Sequence, residues 1–219
     1  MISTSSYDQI NCKNYETYSI SGDRGKMKNY DGKSYPVLAP KLSFFKIWHS
    51  NIGIIKEEEN NKFYIEEYYK QVLSQLDPEE VYKKLDNSIL LCYEPSDKFC
   101  HRFIVAAWFE LFLDIYIPEV KMVNNKLEIV ERPEYIKAYL EEIIKNNINM
   151  RGFNSLRALY LFEQGEKLEA KANELEEKIG KCFDNYRQTA CFLRCDADEA
   201  EEKYNKEKFV KKKTKTQTL

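Results

Sequence analysis

Hydrophobic positions change their spacing several times along this chain, and each change predicts an element. Residues Met1 to Asn14 are polar, without usable periodicity, and read as a flexible arm. Tyr18 and Ile20 then alternate with Thr17 and Ser19, as in a short strand. The prolines of Tyr35-Pro36-Val37-Leu38-Ala39-Pro40 exclude a helix interior and predict a rigid connector. A short helix follows with Phe44, Phe45, Ile47 and Trp48, capped by Ser43 and ending near His49. Between Phe63 and Leu76, the residues Ile65, Tyr68, Tyr69, Val72 and Leu76 share one helical stripe. Asp77-Pro78-Glu79-Glu80 has the cap, first-turn proline and acidic third position of another helix.

The stretch Ile89 to Tyr93 is apolar on both faces up to Leu91, which predicts a central, parallel-type strand. A polar turn leads to the apolar run Phe103 to Leu113, a core helix beginning at Cys100-His101-Arg102. Val120 to Val123 and Leu127 to Val130 flank Asn124-Asn125 as a hairpin, and Pro133 opens a helix carrying Ile136, Leu140, Ile143 and Ile144. Strands interleaved with helices predict an α/β fold, a compact three-layer-like domain around a short, mostly parallel sheet spanning 15–150.

From Ser155 onward the pattern becomes a heptad. Leu161, Gly165, Leu168, Ala172, Leu175, Ile179, Cys182 and Tyr186 recur at alternating intervals of four and three. The segment 151–209 is therefore expected to be a coiled-coil-like extension whose seam needs a partner. That partner is another helix of this chain, a second copy meeting it through 155–186, or a different protein. Gly165 and Gly180 weaken the helix, and a bend near Gly180 or Asp196 would make a hairpin. From Lys203 onward there are seven Lys against a single Glu207, so 210–219 reads as a basic, disordered tail.

Composition narrows the function classes. An apolar fraction of 43% excludes global disorder, and a net charge of −2 gives no bulk attraction to nucleic acid or acidic membranes. No basic-then-apolar leader opens the chain and no apolar run approaches spanning length, so a cytoplasmic protein without membrane contact is expected. In that compartment the six Cys are expected to be reduced thiols.

Candidate chemistry gathers at the strand-to-helix junction. The first turn of a helix offers unpaired N–H groups and partial positive charge, which with Arg102 would favour a thiolate at Cys100. Cys100 is then a nucleophile or redox thiol, or else simply a small core residue. Cys92 is its candidate redox partner. Glu94 projects at the carboxyl end of the strand, either as an orienting catalytic carboxylate or as an ion-pair partner of Arg102. His101 is a candidate acid/base and Arg102 an anion clamp. Gly22-Asp23-Arg24-Gly25-Lys26 adds Arg24 as a second anion-binding candidate, although a surface turn explains the same residues. Structural zinc usually requires two Cys pairs, which the spacing lacks, so no metal and no cofactor are expected.

Together, Leu90-Leu91-Cys92-Tyr93-Glu94, Cys100-His101-Arg102 and the following Ala106-Ala107-Trp108 helix resemble the signature of the family catalogued as domain of unknown function 488. The Tyr18-Ser19-Ile20 strand and the helix bearing Tyr64 and Tyr68 fit its layout, so the likeness spans roughly residues 15 to 150. It implies a compact α/β domain in a bacterial or archaeal cytosol, without an assigned biochemical role. Family members commonly carry Asp-Val-Arg after the first strand, where this chain has Gly22-Asp23-Arg24. The expected ligand is an anionic, phosphorylated small molecule or nucleic acid. Whether the site is catalytic is open, and the alternative is a non-catalytic adaptor working through its heptad helix.

Overall fold

The computed structural model describes residues 1–180 and 182–216, with side chains through Phe209. The chain divides into two compact units, Met1–Asn147 and Ile148–Leu219.

The first unit is built on a six-stranded sheet. Its strands are β1 (Ser3–Ser6), β2 (Thr17–Ser19), β3 (Lys33–Ser34), β4 (Ile89–Cys92), β5 (Glu119–Val123) and β6 (Lys126–Val130). The spatial order is β3-β2-β4-β1-β5-β6, and among the described residues only the β5–β6 pair is antiparallel. β4 lies between β1 and β2, with Ser6 opposite Cys92 and Ser19 opposite Leu91. As its all-apolar sequence requires, every residue of β4 is buried. β5 and β6 turn at Asn124-Asn125, both with positive φ, the geometry of a tight hairpin.

The expected N-terminal arm is instead the strand β1, near the middle of the sheet. Ile2, Thr4 and Ser5 are fully buried. Small hydroxyl side chains can be enclosed this way because they find partners: Ser5 Oγ donates to the Val120 carbonyl at 2.6 Å and Thr4 Oγ1 to Glu119 at 2.7 Å. A strand buried through hydroxyl groups has no apolar alternation to betray it.

Helices α1 (Leu42–Ser50), α2 (Glu57–Gln71), α3 (Pro78–Leu85), α4 (His101–Leu113) and α5 (Tyr135–Asn147) complete this unit. Asp77 caps α3 by accepting from the Glu79 and Glu80 amides, with Pro78 in the first turn. α1 is capped differently from the expectation, with Lys41 at the cap position and Ser43 donating to Gln71. α4 is buried from His101 through Glu110, which its apolarity on every side demands. It packs on β1 and β4 and is covered by α2, α3 and α5. The opposite face of the sheet is covered by side chains from connecting loops: Tyr7 and Ile10 pack with Ile89, Leu91 and Val120, flanked by Tyr15, Tyr30 and Tyr93.

The second unit contains α6 (Leu156–Ile179) and α7 (Asp184–Thr216), which pack on each other. Ser155 caps α6 by accepting from the Ala158 amide, and Gly180, at φ 68°, ends it in the left-handed conformation. Thus the heptad seam of α6 meets a helix of its own chain. Gly165 has a packing reason: a Cβ there would lie 3.0 Å from the Ala190 carbonyl oxygen. Glu201 of α7 accepts from the Asn154 and Ser155 amides, tying its helix to the start of α6. The tail expected over 210–219 continues α7 as backbone to Thr216, while its side chains and residues 217–219 lie outside the described residues.

Candidate functional site: a cysteine–histidine cluster at the carboxyl edge of the sheet

The parallel strands β1, β2 and β4 end side by side, and the loop 93–99 returns the chain from β4 to α4 at that same edge. Cys92 is the last residue of β4, Cys100 is the N-cap of α4, and His101 is its first residue. The strand end and the helix start therefore meet. The two sulfurs and a ring nitrogen of His101 all lie within 4.8 Å of one another. Open α/β sheets place their ligands at this kind of edge.

His101 is held from two sides. Its Nε2 is 3.0 Å from the Ile20 carbonyl, which can only accept, so Nε2 carries hydrogen. Nδ1 faces Cys92 Sγ at 3.4 Å. The imidazole also packs against Tyr68, ring centroids 5.7 Å apart, and Tyr68 donates its hydroxyl to the Leu38 carbonyl. Tyr64 and Trp48 pack on Phe99, so aromatic groups from α1 and α2 wall the loop leading into Cys100. Cys92, Cys100 and His101 retain 5%, 4% and 6% exposure, which makes this an enclosed cluster.

The two thiols are driven in opposite directions. Burial pushes Cys100 up, but the hydrogen bond from Cys92, the Arg102 charge and His101 together hold it well below its usual value. Burial and the same hydrogen bond push Cys92 well above its own. Negative charge in the pair therefore belongs on Cys100, at the positive end of α4. Glu94 is exposed on the loop. Partial desolvation of its carboxyl and the neighbouring Cys100 raise its pKa, with Arg102 opposing.

Arg102 does not extend into an open cleft. Its side chain has 0% exposure, and it donates from Nε to Glu119 Oε2 at 3.2 Å and from Nη2 to Oε1 at 2.9 Å. Thr4 donates to the same carboxylate. Nη1 alone is buried without a partner. Of the two readings of Glu94, the ion pair with Arg102 gives way to Glu119–Arg102, because Arg102 lies in the buried stretch of α4 against β1 and β5. Arg24 is exposed, at φ 62° in the turn after β2. Asp23 organises that turn by accepting from the Gly25 amide at 3.1 Å and from the Tyr93 hydroxyl. The glycine-containing segment thus forms an Asx-type turn.

Of the sequence candidates, Cys92, Cys100 and His101 come together, Arg102 lies beneath them as a fixed charge, and Glu94 stands at the rim. Arg24 belongs to a separate surface turn. Sequence reasoning missed Glu119, Thr4, the Ile20 carbonyl and Tyr68. Glu119 carried one signal, an acidic residue directly before an apolar strand. A backbone carbonyl carries none.

A scan against protein-family models, a search of curated proteins and a search of solved structures each return no match.

Proposed function

We propose that the cluster is a thiol centre that binds, and acts on, a small anionic ligand of phosphorylated or nucleotide-like type. The observation that carries this reading is the convergence of Cys92, Cys100 and His101 within 4.8 Å at the carboxyl ends of parallel strands. Cys100 is the nucleophile: its sulfur forms a bond to an electrophilic atom of the ligand as the leaving group departs with its bonding electron pair. With Nε2 engaged by Ile20, His101 exchanges protons through Nδ1, on the side of the cysteines. Arg102, fixed by Glu119, supplies permanent positive charge beneath the reacting sulfur. Glu94 at the rim orients the incoming ligand. The motif likeness to the domain of unknown function 488 family is compatible with such a site and adds no reaction to it. The adaptor alternative is less favoured, since α7 already occupies the seam of α6.

Site-resolved alkylation with iodoacetamide tests the proposal on the reduced, chelator-treated full chain at neutral pH. Cys182, Cys191 and Cys195 are exposed and serve as internal references. Cys100 should be modified faster than these despite its burial, and adenosine monophosphate or inorganic phosphate should slow that modification alone. A Cys100 that stays inert while the exposed thiols react would overturn the reading.

A further inference from the structure

The geometry points to a second property of the same three residues: we propose that Cys92 Sγ, Cys100 Sγ and His101 Nδ1 form a three-ligand site for a thiophilic divalent metal of the zinc class. This goes beyond the nucleophile reading and does not depend on it. A metal would use the sulfurs as ligands whether or not either one attacks a substrate.

Distances support the assignment. With Zn–S about 2.3 Å and Zn–N about 2.0–2.1 Å in a tetrahedral site, neighbouring sulfur and nitrogen ligands stand about 3.5 Å apart. Cys92 Sγ and His101 Nδ1 are 3.4 Å apart. Two sulfur ligands of such a site stand about 3.8 Å apart. Cys100 Sγ is within 4.8 Å of Cys92 Sγ and of a ring nitrogen of His101, so a displacement of up to about 1.3 Å, within the reach of its side-chain torsion, completes the set.

His101 supplies an independent observation. A metal-bound histidine usually donates its other ring N–H to a carbonyl or carboxylate, which fixes the tautomer and aims the free nitrogen at the ion. Here Nε2 donates to the Ile20 carbonyl at 3.0 Å, leaving Nδ1 as the nitrogen with a free lone pair, and a turn of the imidazole is needed to aim it at an ion shared with Cys92. Tyr68 packs against the ring. The hydrogen bond that fixes the tautomer exists before any ion arrives.

The ligand chemistry selects the metal. Two sulfurs and one imidazole favour soft or borderline ions over magnesium or calcium, which seek oxygen ligands. Two thiolates and a neutral imidazole neutralise a divalent ion, and any thiol hydrogen still present passes to solvent as the metal–sulfur bond forms. Three protein ligands leave a fourth position for water or a ligand group, the pattern of catalytic rather than structural zinc. The usual cysteine pairing is absent because the ligands come from the end of a strand and the start of a helix, which the fold joins and sequence spacing does not.

The test uses the full chain with Cys12, Cys182, Cys191 and Cys195 replaced by Ser, so that only the cluster retains thiols. Reduced, chelator-stripped protein is titrated anaerobically with Co(II). The expected result is uptake of one ion per chain, with a thiolate-to-cobalt charge-transfer band in the near ultraviolet and tetrahedral d–d bands in the red, both lost on adding Zn(II). Cys100→Ser in this background should lose the charge-transfer intensity of one sulfur. Should that variant fail to fold, X-ray absorption at the zinc edge of the unsubstituted cluster decides, with a shell of two sulfurs and one imidazole nitrogen expected. Absence of a cobalt spectrum in folded protein whose Cys92 and Cys100 are shown to be free thiols, or a zinc shell without sulfur, would overturn the metal site. Either result would leave the alkylation behaviour of Cys100 to decide the nucleophile reading separately.

Discussion

Arg102 and Glu119 in the α/β unit form an ion pair with no exposed side-chain surface, whereas Arg187 and Glu176 in the helical hairpin form one that water reaches. The same chemical groups have different consequences in these settings. A sealed pair has given up the hydration of both charges, so each partner is costly to leave alone. An exposed pair contributes little because water solvates either charge after separation. The α/β unit therefore holds polar groups in fixed positions inside its core. The hairpin distributes them along its surface, with apolar packing around Leu161, Gly165 and Ala172 closing the helix pair.

The largest expected effect comes from breaking the sealed pair. Glu119→Leu leaves the Arg102 guanidinium buried without its carboxylate and removes the acceptor of Thr4. Loss of one partner from such a pair typically costs about 3–5 kcal/mol. Urea unfolding followed by tryptophan fluorescence should show that loss, since Trp108 is buried on the same helix as Arg102. Arg102→Met combined with Glu119→Leu should recover most of it. A single Glu119→Leu variant costing under about 1 kcal/mol would mean that the pair is solvated like the hairpin's and that the contrast between the units fails.

How far the sequence disclosed this arrangement follows from the same contrast. Apolar sequence made β4 and α4 legible because these elements bury hydrocarbon, while Asp77-Pro78 marked α3 and Asn124-Asn125 the β5–β6 hairpin. β1 was read as a loose arm because it buries hydroxyls, whose hydrogen bonds to Val120 and Glu119 involve residues distant in sequence. For the site, adjacency identified Cys100, His101 and Arg102, and strand alternation brought in Cys92. The direction taken by Arg102 depended on Glu119, 17 residues later at the start of β5. The histidine's orientation depended on a main-chain oxygen. In the hairpin, Gly165 looked like a defect by helix propensity until the Ala190 carbonyl showed what approaches it.

That glycine gives the next sharper test. Gly165→Ala gains about 1 kcal/mol of helix propensity. The added methyl must sit 3.0 Å from a backbone oxygen of α7, and overpacking of this kind costs about 1–3 kcal/mol. A helix carbonyl cannot move aside as a flexible side chain can. The net expectation is a destabilisation of about 1 kcal/mol confined to the hairpin, read as faster amide exchange in peptides from α6 and α7 with unchanged exchange in β4 and α4. A stabilised hairpin would show that the helices can separate at this point without loss, and that their packing is not close in the way the α/β core is.

Acidification should produce the smallest effect and the clearest sign. Glu176 is held down to about 2 by its hydrogen bonds from Arg187 and the Phe183 amide. In the unfolded chain a Glu carboxyl titrates near 4.3, so below that value the unfolded state binds the proton and the folded state resists it. The stabilisation is therefore complete above about pH 4.3 and disappears as pH falls through about 2. Amide exchange over residues 170–190, compared at each pH between the parent chain and Glu176→Gln, isolates this group from the other acids. The parent should be better protected at pH 6, and the difference should vanish by about pH 2. A difference that persists there would mean that Glu176 acts through its packing or neutral hydrogen bonds instead of its charge. The hairpin would then share the fixed polar contacts that distinguish the α/β unit.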